Sequence, residues 1–228
     1  MRESSEHGIR GGGARRTRYV PALGPAAFTG LYDTVLALTM RERRWRPRLC
    51  ERIAAHVPRG GRIVDVGAGT GTLAIAVAAR RPDARVIAVD GDPEVLRLAR
   101  RKPGAERVSW RPGLAGELEL EDASADAVVM SLLLHHLDGA GKHRALSDAR
   151  RVLRPDGRLH VADWGRPHDP VMRAGFGGVQ FLDGRDGTRD HAAGRLPAFL
   201  AQAGFARVER YGRLRTGFGS LDLIEARA

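Results

Sequence analysis

The feature that most constrains this chain is a glycine-rich turn that joins a predicted strand to a predicted helix. The apolar run 63–66 contains Asp65, and Gly67, Gly69 and Gly71 follow at alternate positions. Because glycine has no side chain and adopts positive φ readily, such a turn lets the backbone approach a ligand closely. A dinucleotide-binding turn, G-x-G-x-x-G, would need glycine three residues after Gly69, where the chain has threonine. The spacing D-x-G-x-G-x-G thus indicates a different ligand, or a turn that only links strand and helix.

Strand-like and helix-like segments alternate along most of the chain. The predicted strands are residues 62–66, 85–89, 107–110, 127–130 and 158–162, and the predicted helices are 72–80, a segment that starts after Asp92, 142–153 and 196–203. Residues 205–211 and 220–226 are predicted to close the fold as a hairpin. Because alternating strands and helices form a parallel, doubly wound sheet, we expect ligands at the carboxyl ends of its strands.

A carboxylate at the end of the second predicted strand points to a nucleoside ligand. Asp90 lies about 20 residues beyond the glycine turn, where a doubly wound fold places the acceptor for ribose hydroxyls. The alternative role for Asp90 is to cap the following helix. Asp92, followed by Pro93 and Glu94, already fits that capping role. The pairing of Asp90 with the glycine turn therefore predicts a nucleoside-binding crevice.

These residues resemble the first two motifs of the class I S-adenosylmethionine-dependent methyltransferases. Three further segments resemble later motifs of that family: residues 126–131, 135–137 and 151–159. The resemblance covers residues 62 to 163. It implies an α/β fold, a doubly wound, seven-stranded, Rossmann-like methyltransferase sheet with a C-terminal antiparallel hairpin. Tyr32 and Asp33 resemble the ubiquinone and menaquinone biosynthesis methyltransferases, a group that methylates small, often aromatic, molecules.

The resemblance implies S-adenosyl-L-methionine as the cofactor and S-adenosyl-L-homocysteine as the product. The implied binding residues are Tyr32, Asp65, Gly67, Ala68, Gly69, Asp90, Gly91, Gly113, Leu114 and Ser131. In the family pattern, Asp65 and the turn amides hold the methionine moiety, Asp90 binds the ribose, and Ser131 lies near the sulfonium. Leu114 stands where an aspartate commonly receives the adenine amino group. Adenine recognition is therefore expected from backbone groups or from Glu117.

Two adjacent histidines just beyond the fourth predicted strand are the candidate catalytic residues. A hydroxyl or phenol acceptor must lose a proton, and histidine titrates near neutral pH. His135 or His136 is therefore a candidate general base, with packing and hydrogen bonding as the alternative role. Weaker candidates follow later in the chain: Asp163, His168, Asp190 and His191. The apolar residues 132–134 favour a small apolar or aromatic acceptor, with O-methylation slightly ahead of N- or C-methylation.

The chain is predicted to hold one catalytic domain with flanking segments. The parts are a disordered tail (1–18), a helical N-terminal lid over the cofactor (19–56), and the S-adenosylmethionine-binding methyltransferase domain (57–228), which contains a substrate-covering insertion (165–195). Pro47 is expected to break the helical pattern of the lid, in which Trp45, Leu49 and Ile53 form a buried stripe. The glycine-rich insertion is expected to be irregular, apart from a short helix near residues 171–181.

The formal net charge of +11 raises the question of a nucleic-acid partner. Nearly all the positive charge is arginine, which a GC-rich coding sequence tends to produce, and lysine occurs only at positions 102 and 142. The fourth strand is not followed by the Asn/Asp-Pro-Pro-aromatic sequence of base-modifying enzymes, and the single cysteine, Cys50, lies outside the predicted sheet. Nucleic acid is therefore not favoured as the acceptor. An RNA methyltransferase and a non-catalytic S-adenosylmethionine-binding regulator stay open as alternatives.

Cysteine content and hydropathy set the remaining expectations. A lone Cys50 cannot form an intramolecular disulfide and does not suggest a metal site. No apolar run approaches the roughly 20 residues that span a bilayer, and the N-terminus lacks the apolar core of a secretory signal. We therefore expect a cytoplasmic monomer or homodimer without a membrane span.

Overall fold

The computed structural model describes residues 41–182 and 184–228. The predicted tail and residues 19–40 of the predicted lid, with Tyr32 and Asp33, lie outside these ranges. The strands are β1 (Arg62–Val66), β2 (Arg85–Asp90), β3 (Val108–Pro112), β4 (Ala125–Ser131), β5 (Leu153–Gly165), β6 (Ala206–Arg215) and β7 (Ser220–Arg227). The helices are α1 (Glu42–Ala54), α2 (Thr72–Arg80), α3 (Pro93–Ala99), α4 (Gly139–Val152), α5 (Pro170–Leu182), α6 (Arg185–Ala192) and α7 (Leu196–Gln202), with short 3-10 helices at Ala105–Arg107 and Leu134–His136.

The seven strands form one sheet in the order β3-β2-β1-β4-β5-β7-β6. Strands β1 to β5 pair in parallel, whereas β7 runs antiparallel to both β5 and β6. The predicted doubly wound sheet with its closing hairpin is therefore confirmed. The chain leaves the centre in one direction through β2 and β3, then returns to β4 beside β1. This switch point lies between the ends of β1 and β4, where such sheets bind ligands.

Each face of the sheet is covered by helices over its own core. Along β4, Ala127 and Val129 pack on the face that carries α1, α2 and α5, whereas Val128 and Met130 pack on the face of α4 and α7. All four side chains are fully buried. Such an apolar strand is typical of a parallel sheet that is covered on both sides.

Helix α1 packs into the core through the predicted stripe. Trp45, Leu49 and Ile53 are buried, which confirms that prediction. The expectation that Pro47 breaks the helix is wrong, because α1 continues through it. Proline removes one backbone hydrogen bond, but Pro47 is exposed. Burial of the apolar stripe on the other side of α1 outweighs that loss.

The segment after β5 differs most from the sequence-based expectation. The short helix expected near residues 171–181 is confirmed as α5, whereas the expectation that the rest of the insertion is irregular is wrong, because it contains α6. In α5, Met172, Phe176 and Val179 recur at helical spacing and are buried, which makes packing on the sheet the stabilising contribution. Strand β5 also extends beyond the predicted range of 158–162 at both of its ends, from Leu153 to Gly165. Within the described residues, every helix is too short or too polar to cross a membrane.

Candidate active site

The glycine turn lies between β1 and α2 and is tied to the end of β2. The amides of Gly67 and Ala68 both donate to the Val89 carbonyl, at 2.8 and 3.1 Å. Gly69 has φ +55°, and nothing lies within 4 Å of the position that a Cβ atom would occupy. At Gly71, by contrast, with φ +75°, a Cβ atom would overlap Trp110. The turn is therefore open at Gly69 and closely packed at Gly71.

The Asp65 carboxylate is buried behind this turn without a hydrogen-bond partner. Its side chain is 1% exposed, and neither oxygen has a partner among the described residues. Burial, and then the nearby Asp90, raise the pKa of Asp65 to about 7. Since buried polar groups are almost always hydrogen-bonded, this carboxylate fits a donor or a cation supplied by a ligand.

Asp90 is held at the end of β2 by two backbone amides. Its Oδ2 accepts from the Gly69 amide at 2.7 Å, and its Oδ1 accepts from the Asp92 amide at 2.9 Å. Burial raises the pKa of Asp90. Asp92 caps α3 by accepting from the Glu94 amide at 2.9 Å. Each Asp90 oxygen keeps a second lone pair, so the carboxylate is fixed in place and able to accept from ribose hydroxyls.

The residues implied in adenine binding lie beside Asp90. The Gly113 amide donates to the Asp90 carbonyl at 3.0 Å, which brings Gly113 and Leu114 to the end of β2. Leu114 is half-buried, and its carbonyl accepts from the Glu117 amide at 3.1 Å. Glu117 itself is exposed. The backbone and apolar surface around Leu114, together with an exposed Glu117, are the groups available for adenine.

The end of β4 contributes a strained backbone turn across the crevice from the glycines. Ser131 is half-buried at the last position of β4. The next residue, Leu132, has φ +52°, and its amide donates to the Ala162 carbonyl of β5 at 2.8 Å. Such strain in a non-glycine residue recurs at functional sites. The turn directs the chain into the short helix that carries both candidate histidines.

His135 forms a buried pair with Asp163. Its Nδ1 lies 2.8 Å from Asp163 Oδ1, and its side chain is nearly inaccessible. The two Asp163 oxygens also accept from the amides of Leu134 and Trp164, at 2.8 and 2.7 Å. Burial alone would raise the pKa of Asp163, but His135 and His191 hold it below its usual range. Asp163 therefore stays ionised, orients His135 and accepts from its Nδ1.

The other candidate residues divide into near and distant groups. The His136 ring centroid lies 4.0 Å from that of His135. Partial burial and the neighbouring His135 lower the pKa of His136 to about 4. Part of the His136 side chain is still exposed. His191 is buried and donates from Nδ1 to the Trp164 carbonyl at 2.7 Å. His168 contacts Ser220 instead, at the start of β7.

Lys142 is a buried residue beside this cluster that sequence reasoning did not select. Its ammonium donates to the carbonyls of Leu137 and Gly187, at 2.7 and 2.6 Å, and lies 3.6 Å from Asp190. Burial lowers the pKa of Lys142. The signal was present in the sequence: residues 142, 145, 146 and 149 share one helical face, and all are buried.

The comparisons with known proteins agree with this geometry. Residues 63–157 match a family described as a methyltransferase domain. The chain is 36% identical to the demethylmenaquinone methyltransferase of Deinococcus radiodurans over 148 residues, which are 64% of this chain and 59% of that protein. It is 32% identical to a ubiquinone/menaquinone biosynthesis C-methyltransferase of Syntrophotalea carbinolica over 58% of this chain and 54% of that protein. A solved S-adenosylmethionine-dependent methyltransferase of Aquifex aeolicus shares the fold, with a TM-score of 0.64, 19% identity, and coverage of 90% of this chain and 100% of that one.

Residues 63–157 match a methyltransferase domain, and the chain resembles the class I S-adenosylmethionine-dependent methyltransferases in sequence and in fold, as its motifs predicted. Within that class it is similar to the ubiquinone and menaquinone biosynthesis group. The chain spans between half and 60% of the length of these two curated relatives.

Proposed function

We propose that the chain transfers a methyl group from S-adenosylmethionine to a small hydroxylated aromatic ring. The observation that carries the proposal is the buried Asp65 carboxylate, which has no partner among the described residues and lies behind a turn that is open at Gly69. The ammonium group of the methionine moiety is a suitable partner for such a carboxylate. Asp90, Gly91, Gly113, Leu114 and Ser131 complete the proposed cofactor site.

The crevice between β1 and β4 has the chemistry that a methyl transfer needs. When bound, the cofactor supplies a methyl group on a sulfonium, and the acceptor must approach the methyl carbon in line with the sulfur–carbon bond. Alignment of the reactants and exclusion of water provide much of the acceleration in such a displacement. The half-buried Leu132 and Leu133 offer apolar surface for a ring beside the glycine turn.

We assign the proton transfer to His135, with Asp163 as its positioning residue. With Nδ1 donating to the Asp163 carboxylate, Nε2 is the ring nitrogen that would take the hydroxyl proton, once the acceptor has displaced the groups that cover this buried ring. The ionised Asp163 then stabilises the imidazolium. Loss of that proton would increase electron density on the acceptor, which would then take the methyl group that the bound cofactor supplies. At a ring carbon, the hydrogen of that carbon would leave as a proton, and the imidazolium would return its proton to the ring oxygen.

The acceptor atom is proposed to be a ring carbon. The sequence favoured O-methylation slightly, but the curated relatives carry names for demethylmenaquinone methylation and for C-methylation. Deprotonating a ring hydroxyl activates both the oxygen and the adjacent ring carbon. The same base therefore supports either product, and the relatives' names favour the carbon.

Calorimetry tests the cofactor assignment. We expect S-adenosylmethionine and S-adenosylhomocysteine to bind the wild-type chain, and Asp90→Ala to weaken both at least 10-fold. Asp156→Ala is the matched control, since this exposed carboxylate lies at the opposite edge of the sheet. Binding of a nicotinamide dinucleotide with no binding of either adenosyl compound would overturn the assignment.

Turnover of a hydroxylated naphthoquinol tests the catalytic assignment. General-base catalysis is worth roughly 100-fold or more, so His135→Gln and Asp163→Asn should lower kcat by about that factor with unchanged cofactor affinity. His168→Gln serves as the control, and NMR of the product distinguishes C- from O-methylation. Cofactor binding without turnover of any phenolic acceptor would favour a regulator, and unchanged kcat in His135→Gln would remove the proposed base.

A further inference from the structure

Five arginines line a concave groove away from the methyl-transfer crevice. The groove has a volume of about 490 Å³, and its lining residues are Arg41, Arg44 and Arg48 near the start of α1 and Arg213, Leu214 and Arg215 on β6. We call it the arginine groove. The proposed function uses none of these residues.

The arginine groove and the glycine turn both lie at the end of the sheet where the parallel strands have their carboxyl ends. Because β6 is parallel to β5, its carboxyl end, with Arg213 and Arg215, lies at the edge where β1 and β4 end. Strands β5 and β7 separate β6 from β4. At about 4.8 Å per strand, the groove is roughly 15 Å from the end of β4.

The two arginines of β6 are held in place by carboxylates. Arg213 makes two hydrogen bonds to Asp222, at 2.6 and 2.8 Å. Arg215 lies 3.5 Å from Asp169, at the start of α5. Anchored side chains of this kind lose little freedom when they bind a ligand.

Arg41, Arg44 and Arg48 carry charge that no carboxylate in the described ranges neutralises. Arg44 and Arg48 are four residues apart and share one face of α1, Arg41 precedes the helix at its N-cap, and all three are exposed. None of them is in an ion pair with another described residue. Like charges on one helical face repel one another, and a bound anion would relieve that repulsion.

We propose that the arginine groove binds a small ligand with a diphosphate group. Guanidinium groups pair with phosphate oxygens through two parallel hydrogen bonds, and groups on both walls of the groove match an anion with more than one charged centre. The groove is bounded by a helix and an edge strand, which suits a compact ligand better than an extended nucleic-acid duplex. The site is separate from the cofactor crevice.

Calorimetry with inorganic diphosphate tests this proposal on the full chain. We expect saturable binding with one site per chain, and at least 10-fold weaker binding by the double variant Arg44→Ala, Arg48→Ala. The matched control is Arg59→Ala, Arg85→Ala, which removes the same charge from exposed positions at the opposite edge of the sheet. The control should bind diphosphate within twofold of wild type. Both variants should bind S-adenosylhomocysteine as wild type does.

The remaining outcomes are equally decisive. Equal weakening by the two double variants would show that diphosphate responds only to overall charge, and absence of saturable binding would overturn the site. Binding of a single-stranded RNA 20-mer to the same variants tests the competing hypothesis of a diffuse polyanion surface. If RNA binds much more tightly than diphosphate and both variants lose that affinity equally, the groove is part of a diffuse polyanion surface, and the proposal fails.

Discussion

Asp65 couples the stability of the protein to pH through one buried carboxylate. Its pKa of about 7 lies above the 3.8 of an unperturbed aspartate, so between these values the folded state holds a proton that the unfolded state has lost. Stability from this group therefore falls as pH rises from about 4 to above 7. A cationic ligand group would reverse this effect, because it stabilises the ionised form.

Asp65→Asn should remove that pH dependence in the absence of cofactor. The amide cannot ionise, so the free energy of unfolding of the variant, relative to that of wild type, should rise by on the order of 2–3 kcal/mol between pH 5 and pH 8. Urea unfolding measures this difference. S-adenosylmethionine should bind the variant more weakly. Asp156→Asn, at an exposed position, is the control. Parallel pH profiles for Asp65→Asn and wild type would contradict the assigned pKa.

Gly69 and Gly71 allow the same substitution to be compared at two points of one turn. Both have positive φ, which costs an alanine roughly 1–2 kcal/mol. At Gly71 the new Cβ would also overlap Trp110, whereas at Gly69 it meets open space. Gly71→Ala should therefore be the more destabilising in urea unfolding, by about 1 kcal/mol or more. Gly69→Ala should chiefly weaken cofactor binding, and equal stability losses would contradict this division.

At the scale of elements, Lys142 of α4 links α6 and the end of the short helix that carries His135, through its hydrogen bonds to the carbonyls of Gly187 and Leu137. Removing its ammonium leaves two carbonyls without their donor and Asp190 without its buried partner. Lys142→Met should therefore cost about 3 kcal/mol in urea unfolding. Lys102→Met is the same substitution at the other lysine, which is only half-buried, and should cost about 1 kcal/mol or less. A comparable loss in both variants would contradict the role of Lys142.

The elements that the sequence predicted well are those whose signals are local. Strand β1 is an apolar run that ends in a glycine turn, and α3 opens with Asp92 and Pro93, whose capping bonds are present. Helices α1 and α5, which were expected in part (α1 as broken at Pro47 and α5 as a short helix), depend on tertiary packing instead. Pro47 in α1 and the glycines of α5 lower helix propensity, so only burial against the sheet makes these segments helical.

At the scale of the whole molecule, the positions of the proposed cofactor-binding carboxylates follow from the fold. Asp65 lies one residue before the end of β1, at the switch point of the sheet, and Asp90 ends the adjacent strand β2. The pairing of His135 with Asp163 was not predictable, because it depends on the register that sets Ser131 opposite Ala162. His135 and Asp163 were separate candidates in the sequence, and only the register of β4 against β5 brings them into contact.

The net charge of +11 has a consequence for the stability of the whole molecule. Self-repulsion destabilises a compact, highly charged chain and is screened by salt. The arginine groove concentrates five positive charges, of which two have carboxylate partners. The groove is therefore a place where removing positive charge should stabilise the fold.

Arg44→Ala, Arg48→Ala should raise the midpoint of thermal unfolding at 20 mM NaCl by about 1–3 °C, if relieved repulsion is worth about 0.5–1 kcal/mol. The gain should vanish at 0.5 M NaCl, where the Debye length is only a few ångströms. Calorimetric scans of wild type, this variant and the control Arg59→Ala, Arg85→Ala at both salt concentrations provide the measurement. The control removes the same charge from a sparser region, so its gain at low salt should be smaller. A groove variant that is less stable than wild type at 20 mM NaCl would mean that the arginine stems contribute more by packing than their charges cost by repulsion.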